Sequence, residues 1–315
     1  MNRIELKSGI VRKFAPFFSL ILLAAFLALL SPHFLTMDNL FAIGLQMAVV
    51  AIIAIGELMV IITGGIDLSV GSILAFCGVL STLLISKGSG IFLGITAGIV
   101  GGAVLGYING VLITKGKLPP FIATLGMMGI AKGAALIITG GIPIFGLPES
   151  FNFIGGGRIF NTIPFPVLLT ICLAVLGHFI LKYTLLGRYT YSIGSNIEAS
   201  KYSGVKVHRS LIKVYTIAGL LSGIAGIILA SRLSSGQPTA GTGYELDVIA
   251  ACVIGGASFS GGEGTVLGAM IGALIMGILR NGCNLLDISA FWQQVAIGSI
   301  IIIAVFFDQF RRKSI

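Results

Sequence analysis

The sequence predicts an all-α polytopic integral membrane protein, on three observations. Apolar residues make up 56% of the 315 residues and charged residues only 10%, with a mean hydropathy of +1.05; an ordinary soluble domain carries about 25% charged residues. The apolar residues fall into successive long runs separated by short polar breaks, and Lys and Arg gather in alternate breaks. A bilayer core about 30 Å thick takes roughly 20 mostly apolar residues per helical crossing. The chain therefore reads as one transmembrane domain over 1–315, with about ten transmembrane helices and short tails at 1–13 and 308–315.

The first run, 14–31, follows Arg3, Lys7, Arg12 and Lys13 and superficially resembles a secretory leader. It is longer than the usual apolar core of about 7 to 15 residues, so it is expected to stay as the first helix. Further helices are predicted over 40–63, 68–86, 91–114, 121–140, 164–181, 211–230, 245–257, 265–282 and 290–307. In the fourth, Gly94, Gly98, Gly102, Gly106 and Gly110 recur at a spacing of four, a stripe that lets a neighbouring helix approach closely. Gly264, Gly268 and Gly272 form a similar set.

The run 245–257 is short for a crossing, and Glu245 and Asp247 stand at its start. Either the chain crosses ten times, or it crosses eight times and the pair 245–257 and 265–282 is re-entrant. Irregular backbone at membrane depth has to face protein or water, and so often borders a substrate path. A faint internal echo joins the Gly-Gly of 64–65 to that of 255–256, each preceded and followed by an apolar run.

The net charge of +9 does not point to nucleic acid, because the basic residues punctuate apolar runs instead of forming a soluble basic face. Four lie in the N-terminal tail, two at Lys115 and Lys117, six in the loop 182–213 and three in the C-terminal tail, fifteen in all. The opposite side holds four, Lys87, Arg158, Arg232 and Arg280. By the positive-inside rule both termini and the loop 182–213 are cytoplasmic. Lys132 lies inside a helix.

Cys77, Cys172, Cys252 and Cys283 show no paired spacing, and His33, His178 and His208 are scattered near helix ends, so no metal site is predicted. No G-x-x-x-x-G-K-[ST] phosphate loop occurs. The chain is expected to be no enzyme and to hold no cofactor, any ATP chemistry coming from a separate subunit. Glu57 and Lys132 lie within predicted spans. An ionisable group at a helix centre costs about 2.5 to 3.5 kcal/mol on insertion scales, so it faces the bundle interior as a functional group or as a structural staple. Asp67, in Ile62-Thr63-Gly64-Gly65-Ile66-Asp67-Leu68-Ser69, is read as capping the helix that begins near Leu68. Gly64, Gly65, Asp67 and Ser69 together mark a helix break.

The segments ITGGIDLSVGS (62–72), KLPPFIATLG (117–126) and RLSSGQPTAGTGYELDVIAA (232–251) resemble the permease subunits of ribose-type sugar importers of the ATP-binding-cassette (ABC) class. The resemblance runs from the second predicted helix to the tenth. It implies a bacterial inner-membrane permease for ribose or a similar pentose or hexose. Its implied partners are a cytoplasmic ABC ATPase, a periplasmic sugar-binding protein and a second permease subunit, as a homodimer. Glu263, in the glycine-rich turn 261–264, stands where many members are expected to carry a basic residue, which leaves the subfamily open.

Glu198-Ala199-Ser200-Lys201-Tyr202-Ser203-Gly204 resembles the E-A-A-x-x-x-G coupling loop of that class, with Glu198, Ala199 and Gly204 matching and Ser200 in the third place. A short helix over 198–202, stopped by a glycine at positive φ, would suit a groove on an ATPase. For the path of an uncharged sugar the polar candidates are Gln46, Asn109, Asn281 and Asn284, with Glu57; interhelical hydrogen bonding is the competing role of each. Two alternatives stand beside this reading. One is the same importer class carrying a nucleoside or a branched-chain amino acid; the other is a secondary transporter driven by protons through Glu57 or Lys132.

Overall fold

The computed structural model describes residues 3–160 and 162–312, the ends of both predicted tails lying outside this range. Among the described residues thirteen helices account for nearly all regular structure. α1 is Arg3–Leu30, α2 Met37–Ile62, α3 Val70–Ser86, α4 Ile91–Thr114, α5 Pro120–Thr139, α6 Glu149–Gly156 and α7 Phe165–Tyr183. α8 is Leu185–Ser195, α9 Ile197–Tyr202, α10 Val207–Arg232, α11 Tyr244–Ile254, α12 Val266–Leu285 and α13 Ala290–Arg312. A two-residue hairpin, β1 Arg158–Ile159 with β2 Ile163–Pro164, precedes α7.

Six helices among the described residues are long and apolar enough to cross a membrane: α2, α4, α5, α7, α10 and α12. Shorter apolar stretches occur in α1, α3 and α13. The core is built on α2 and α10. Every residue of α2 from Ala48 to Ile62 is buried, because α7, α10, α11 and α12 surround its inner half. The outer helices bury one stripe and turn large apolar side chains outward, such as Phe18, Leu29, Phe92, Ile137 and Ile302, as a surface solvated by lipid requires.

The glycine stripe of α4 meets α10 from Gly98 to Gly110, while Gly94 packs on α3. Gly94, Gly98, Gly102, Gly106 and Gly110 are all buried, and α10 answers with Gly219 and Gly223. A Cβ on Gly106 would lie 3.0 Å from the Gly219 Cα, and one on Gly102 would lie 3.0 Å from the Gly223 Cα, so the two backbones touch with no side chain between them. The second set works likewise, since a Cβ on Gly272 would lie 3.0 Å from the Ala251 Cα, bringing α12 against α11.

Four features depart from the sequence reading. α10 begins at Val207, a turn before the predicted 211. The N-terminal segment 1–13 is helical from Arg3, continuous with the first span. The loop 182–213 is mostly helix, through α8 and α9. α11 has only 11 residues, about 16 Å of rise, roughly half the thickness of a bilayer core.

Two ends of the bundle can be told apart. The ends of α2, α4 and α10 meet α8, α9 and the α4–α5 turn at one of them. At the other, Ile144 pairs with Gly236, and the Ser231 hydroxyl donates to the Phe151 carbonyl (2.6 Å) and accepts from the Gly155 amide (2.7 Å).

Candidate functional site

The break after α2 is set by backbone geometry. Thr63 ends the helix, and Gly64 takes φ +81, a left-handed conformation that costs a residue with Cβ about 1 to 2 kcal/mol. The Gly64 amide donates to Ile61 O (2.9 Å) and the Gly65 amide to Val60 O (3.2 Å), which satisfies two terminal carbonyls and turns the chain back into the bundle. Gly65 is needed for a different reason, because a Cβ there would lie 2.5 Å from the Tyr215 hydroxyl of α10.

The returning segment is clamped by three helices, α2, α4 and α5, and by a bond within itself. The Asp67 amide donates to Glu57 Oε1 at 3.0 Å. Asp67 Oδ1 accepts from the Ser69 amide (2.8 Å) and from the Ser69 hydroxyl (2.5 Å). Asn109 Nδ2 of α4 donates to Ser69 Oγ at 2.9 Å, and the Leu68 amide donates to Thr124 Oγ1 of α5 at 3.2 Å. Glu57, Asp67, Ser69, Asn109 and Thr124 are wholly buried. Asp67 thus holds the turn before α3 and does not cap the helix itself: the helix starts at Val70 with Ser69 at its N-cap, the amide that Asp67 takes is that of Ser69, and no side chain caps an amide within α3. Glu57, a candidate both for the path and for a structural staple, takes the Asp67 amide at the break.

A second glycine turn repeats the first. After α11 the Gly256 amide donates to Val253 O (2.9 Å) and the Ala257 amide to Cys252 O (3.0 Å), with Gly256 at φ +92. The hydrogen-bond spacing is the same as at Gly64 and Gly65, but Gly256 and Ala257 hold the matching places, so the two turns correspond one residue out of register with the Gly-Gly pairs of the sequence. The two turns are joined, the Gly262 amide donating to Ile62 O at 2.8 Å.

On that junction sits α8. Gly194 packs directly on the Ile62 carbonyl, and a Cβ added there would lie 2.6 Å from the Gly262 nitrogen. Tyr191 donates its hydroxyl to Gly264 O at 2.7 Å, a second tie to the same loop. α8 is in turn fastened to α9 by the Ser192 and Ser200 hydroxyls, 2.6 Å apart.

α9 is capped by Asn196, whose Oδ1 accepts from the Ala199 amide at 2.9 Å. It is stopped by Gly204 at φ +80, with the Gly204 amide on Lys201 O and the Val205 amide on Ser200 O, both 3.0 Å. Glu198 and Lys201 pair across its exposed face at 2.6 Å, and Tyr202 projects 89% exposed.

The remaining polar candidates lie apart from this site. Asn281 and Asn39 exchange hydrogen bonds of 3.0 and 2.7 Å, tying α12 to α2. Asn284 Oδ1 accepts from Gln293 Nε2 of α13 at 2.9 Å. Gln46 lies on α2 near the opposite end, beside Leu45, whose carbonyl accepts from Arg232 (2.9 Å).

Sequence reasoning missed the ion pair of Asp247 on α11 with Arg280 on α12, 2.6 Å apart with the carboxylate 2% exposed. The available signal was an arginine inside an apolar run. Lys132, by contrast, is exposed on α5, where Gly126, Gly129 and Gly133 also face open space. Among the described residues no group of three or more His, Cys, Asp or Glu side chains is placed to hold a metal ion.

The profile of the family described as branched-chain amino acid transport system / permease component matches residues 39–305. The chain belongs to that permease family. The ribose import permease RbsC of Bacillus subtilis is 48% identical over 307 residues, covering 97% of this chain and 95% of the relative. That of Escherichia coli K12 is 43% identical over 294 residues, covering 92% and 91%. The L-arabinose permease AraH of Azospirillum brasilense is 39% identical over 307 residues, covering 98% and 88%. No solved structure matches the chain. The permease is a transport component and a multi-pass protein of the inner (plasma) membrane, as these relatives and its long apolar helices together require.

Proposed function

We propose that the chain is the membrane-spanning subunit of an ABC importer for ribose or a closely related pentose. The observation that carries this reading is the 48% identity to a ribose import permease along nearly the whole chain. ATP hydrolysis falls to a separate cytoplasmic ATPase, and solute selection to a periplasmic sugar-binding protein.

The bundle end bearing α8 and α9 is the cytoplasmic one on this reading. The six basic residues of 182–213 and the pair Lys115 and Lys117 belong to that end. The segment 233–254 then makes one broken crossing. From the periplasmic pairing at Gly236 it dips to Gly241, which packs on Gly71 at the start of α3, and α11 completes the passage to the glycine turn beside Ile62. Ten crossings with both termini cytoplasmic follow.

Coupling runs from the exposed face of α9, through Ser200 and Ser192, to Gly194 and the paired turns at Ile62 and Gly262. A docked ATPase that displaces α9 would move both helix breaks together. The face of α5 with Lys132 and three open glycines borders the path or the second subunit of a homodimer, because an exposed lysine at mid-helix is costly against lipid.

The test is reconstitution with the ATPase and the binding protein. Ribose uptake should require ATP, survive an uncoupler and resist competition by a nucleoside or leucine. Uptake abolished by the uncoupler while ATP persists would instead favour a proton-driven carrier.

A further inference from the structure

A cavity of about 520 Å³ opens at the α8–α9 end, between the α2 break, the α4–α5 turn, α9 and the start of α10. Its volume is within the roughly 300 to 1,000 Å³ of small-molecule sites. Its interior is mostly apolar, with Ile113, Ile193 and Leu211 among its walls beside the Tyr215 hydroxyl, while its rim carries Lys117, Lys201 and His208 and no acidic side chain. Glu198 lies outside it and engages one edge of Lys201 at 2.6 Å. Lys117 is held at φ 54, a left-handed conformation unusual for a residue with Cβ, and all three rim side chains are exposed. A strained non-glycine residue at a pocket lip is a recurring mark of a ligand clamp.

We infer that this cavity binds an anionic phospholipid, its phosphate between Lys117 and His208 and its glycerol and upper acyl carbons along Ile113, Ile193 and Leu211. Two observations favour a lipid over a soluble phosphate. The inner walls are mostly aliphatic, which suits the chains of an amphiphile; the Thr63 and Thr114 hydroxyls among them are committed to backbone carbonyls, and the buried, unpaired Tyr215 hydroxyl is a donor that a glycerol ester oxygen would satisfy. The rim also lies where transmembrane helices end, at the level of the headgroups, where basic pockets between helices take anionic lipids. The consequence is regulatory. Ile197 and Lys201 of α9 and Thr63 to Gly65 of the break line the same cavity, so an occupant touches the ATPase-facing helix and the helix break at once.

The test uses the full-length permease in nanodiscs of phosphatidylcholine, with or without phosphatidylglycerol in both leaflets, so it does not depend on which side is cytoplasmic. Native mass spectrometry counts retained phosphatidylglycerol, and thermal unfolding reports its effect. Lys117→Gln and His208→Gln should each lower retention, Lys117→Gln about fivefold, the change matching about 1 kcal/mol per basic side chain at an anionic surface. Lys115→Gln, which removes a like charge outside the cavity, should leave retention unchanged. Equal loss in Lys115→Gln, or no loss in either rim variant, would overturn the site. So would stabilisation by inorganic phosphate in pure phosphatidylcholine to the level seen with phosphatidylglycerol, which would make it a soluble-anion pocket. Displacement of the phosphatidylglycerol when the ATPase is added would overturn it as well, assigning the cavity to a protein segment; retention in the assembled complex would support it.

Discussion

The Gly262 amide and the Ile62 carbonyl are joined by a 2.8 Å hydrogen bond, so the turn that ends α2 and the turn that follows α11 form one unit under α8. Two breaks that could otherwise move separately share a backbone tie, and Gly194 rests on it.

Gly194→Val places branched carbons against that tie, where a single Cβ already falls 2.6 Å from the Gly262 nitrogen. Overpacking of this kind costs about 1 to 3 kcal/mol. The variant should reach the membrane and bind its ATPase through an unaltered α9, yet lose about fivefold or more in uptake, as a barrier raised by such a cost would give. Parallel assays of uptake and of co-purification separate the two effects, and loss of both together would place Gly194 in assembly and not in coupling.

Gly204→Val forces a branched residue to φ +80, at a cost of about 1 to 2 kcal/mol, and should unwind the end of α9. Glu198→Lys removes the 2.6 Å pair with Lys201 and, being exposed, should act more mildly. Both should weaken association with the ATPase and reduce transport at normal membrane levels. Unchanged co-purification and uptake in both variants would move coupling to the turn at Lys115 to Lys117.

Asp67→Asn keeps an acceptor for the Ser69 amide and hydroxyl, whereas Asp67→Leu strands two buried donors, each unsatisfied group costing about 1 to 3 kcal/mol. Asn should assemble to nearly normal levels and Leu should not, as measured by membrane abundance and thermal unfolding in detergent. Normal assembly without transport in Asp67→Asn would point to a need for the charge itself.

Gly129→Cys on α5 tests the open face of that helix. If this face borders water or a second subunit, the cysteine should react with a water-soluble thiol reagent or cross-link between copies. Protection from the reagent in every nucleotide state, with no cross-link, would put the face against lipid.

Much of this architecture was legible because apolar length and glycine spacing are local signals. The five glycines of α4 announced a close approach from their period alone, but their partner was not visible, since Gly219 and Gly223 lie in a helix more than a hundred residues away in sequence. α8 escaped notice for a different reason. Its eleven residues mix Arg188 and polar side chains with few aliphatic ones, which reads as loop when only long apolar runs are counted. Asn281 and Asn284 were read as candidates for a wet path because polarity in a membrane helix is conspicuous, while the partners that satisfy them, Asn39 and Gln293, follow only from packing. Asp247 and Arg280 were separated by the same limitation, one reading as a helix start and the other as a marker of topology.

The seam between α4 and α10 has an evolutionary corollary. In most cores an enlarged residue can be accommodated when its neighbour shrinks, and sequences drift through such exchanges. Here both sides are already glycine, at Gly102 and Gly106 facing Gly219 and Gly223, so neither can give way. A mutation at one of these positions has no compensating change available across the seam, and recovery would require shifting a whole helix.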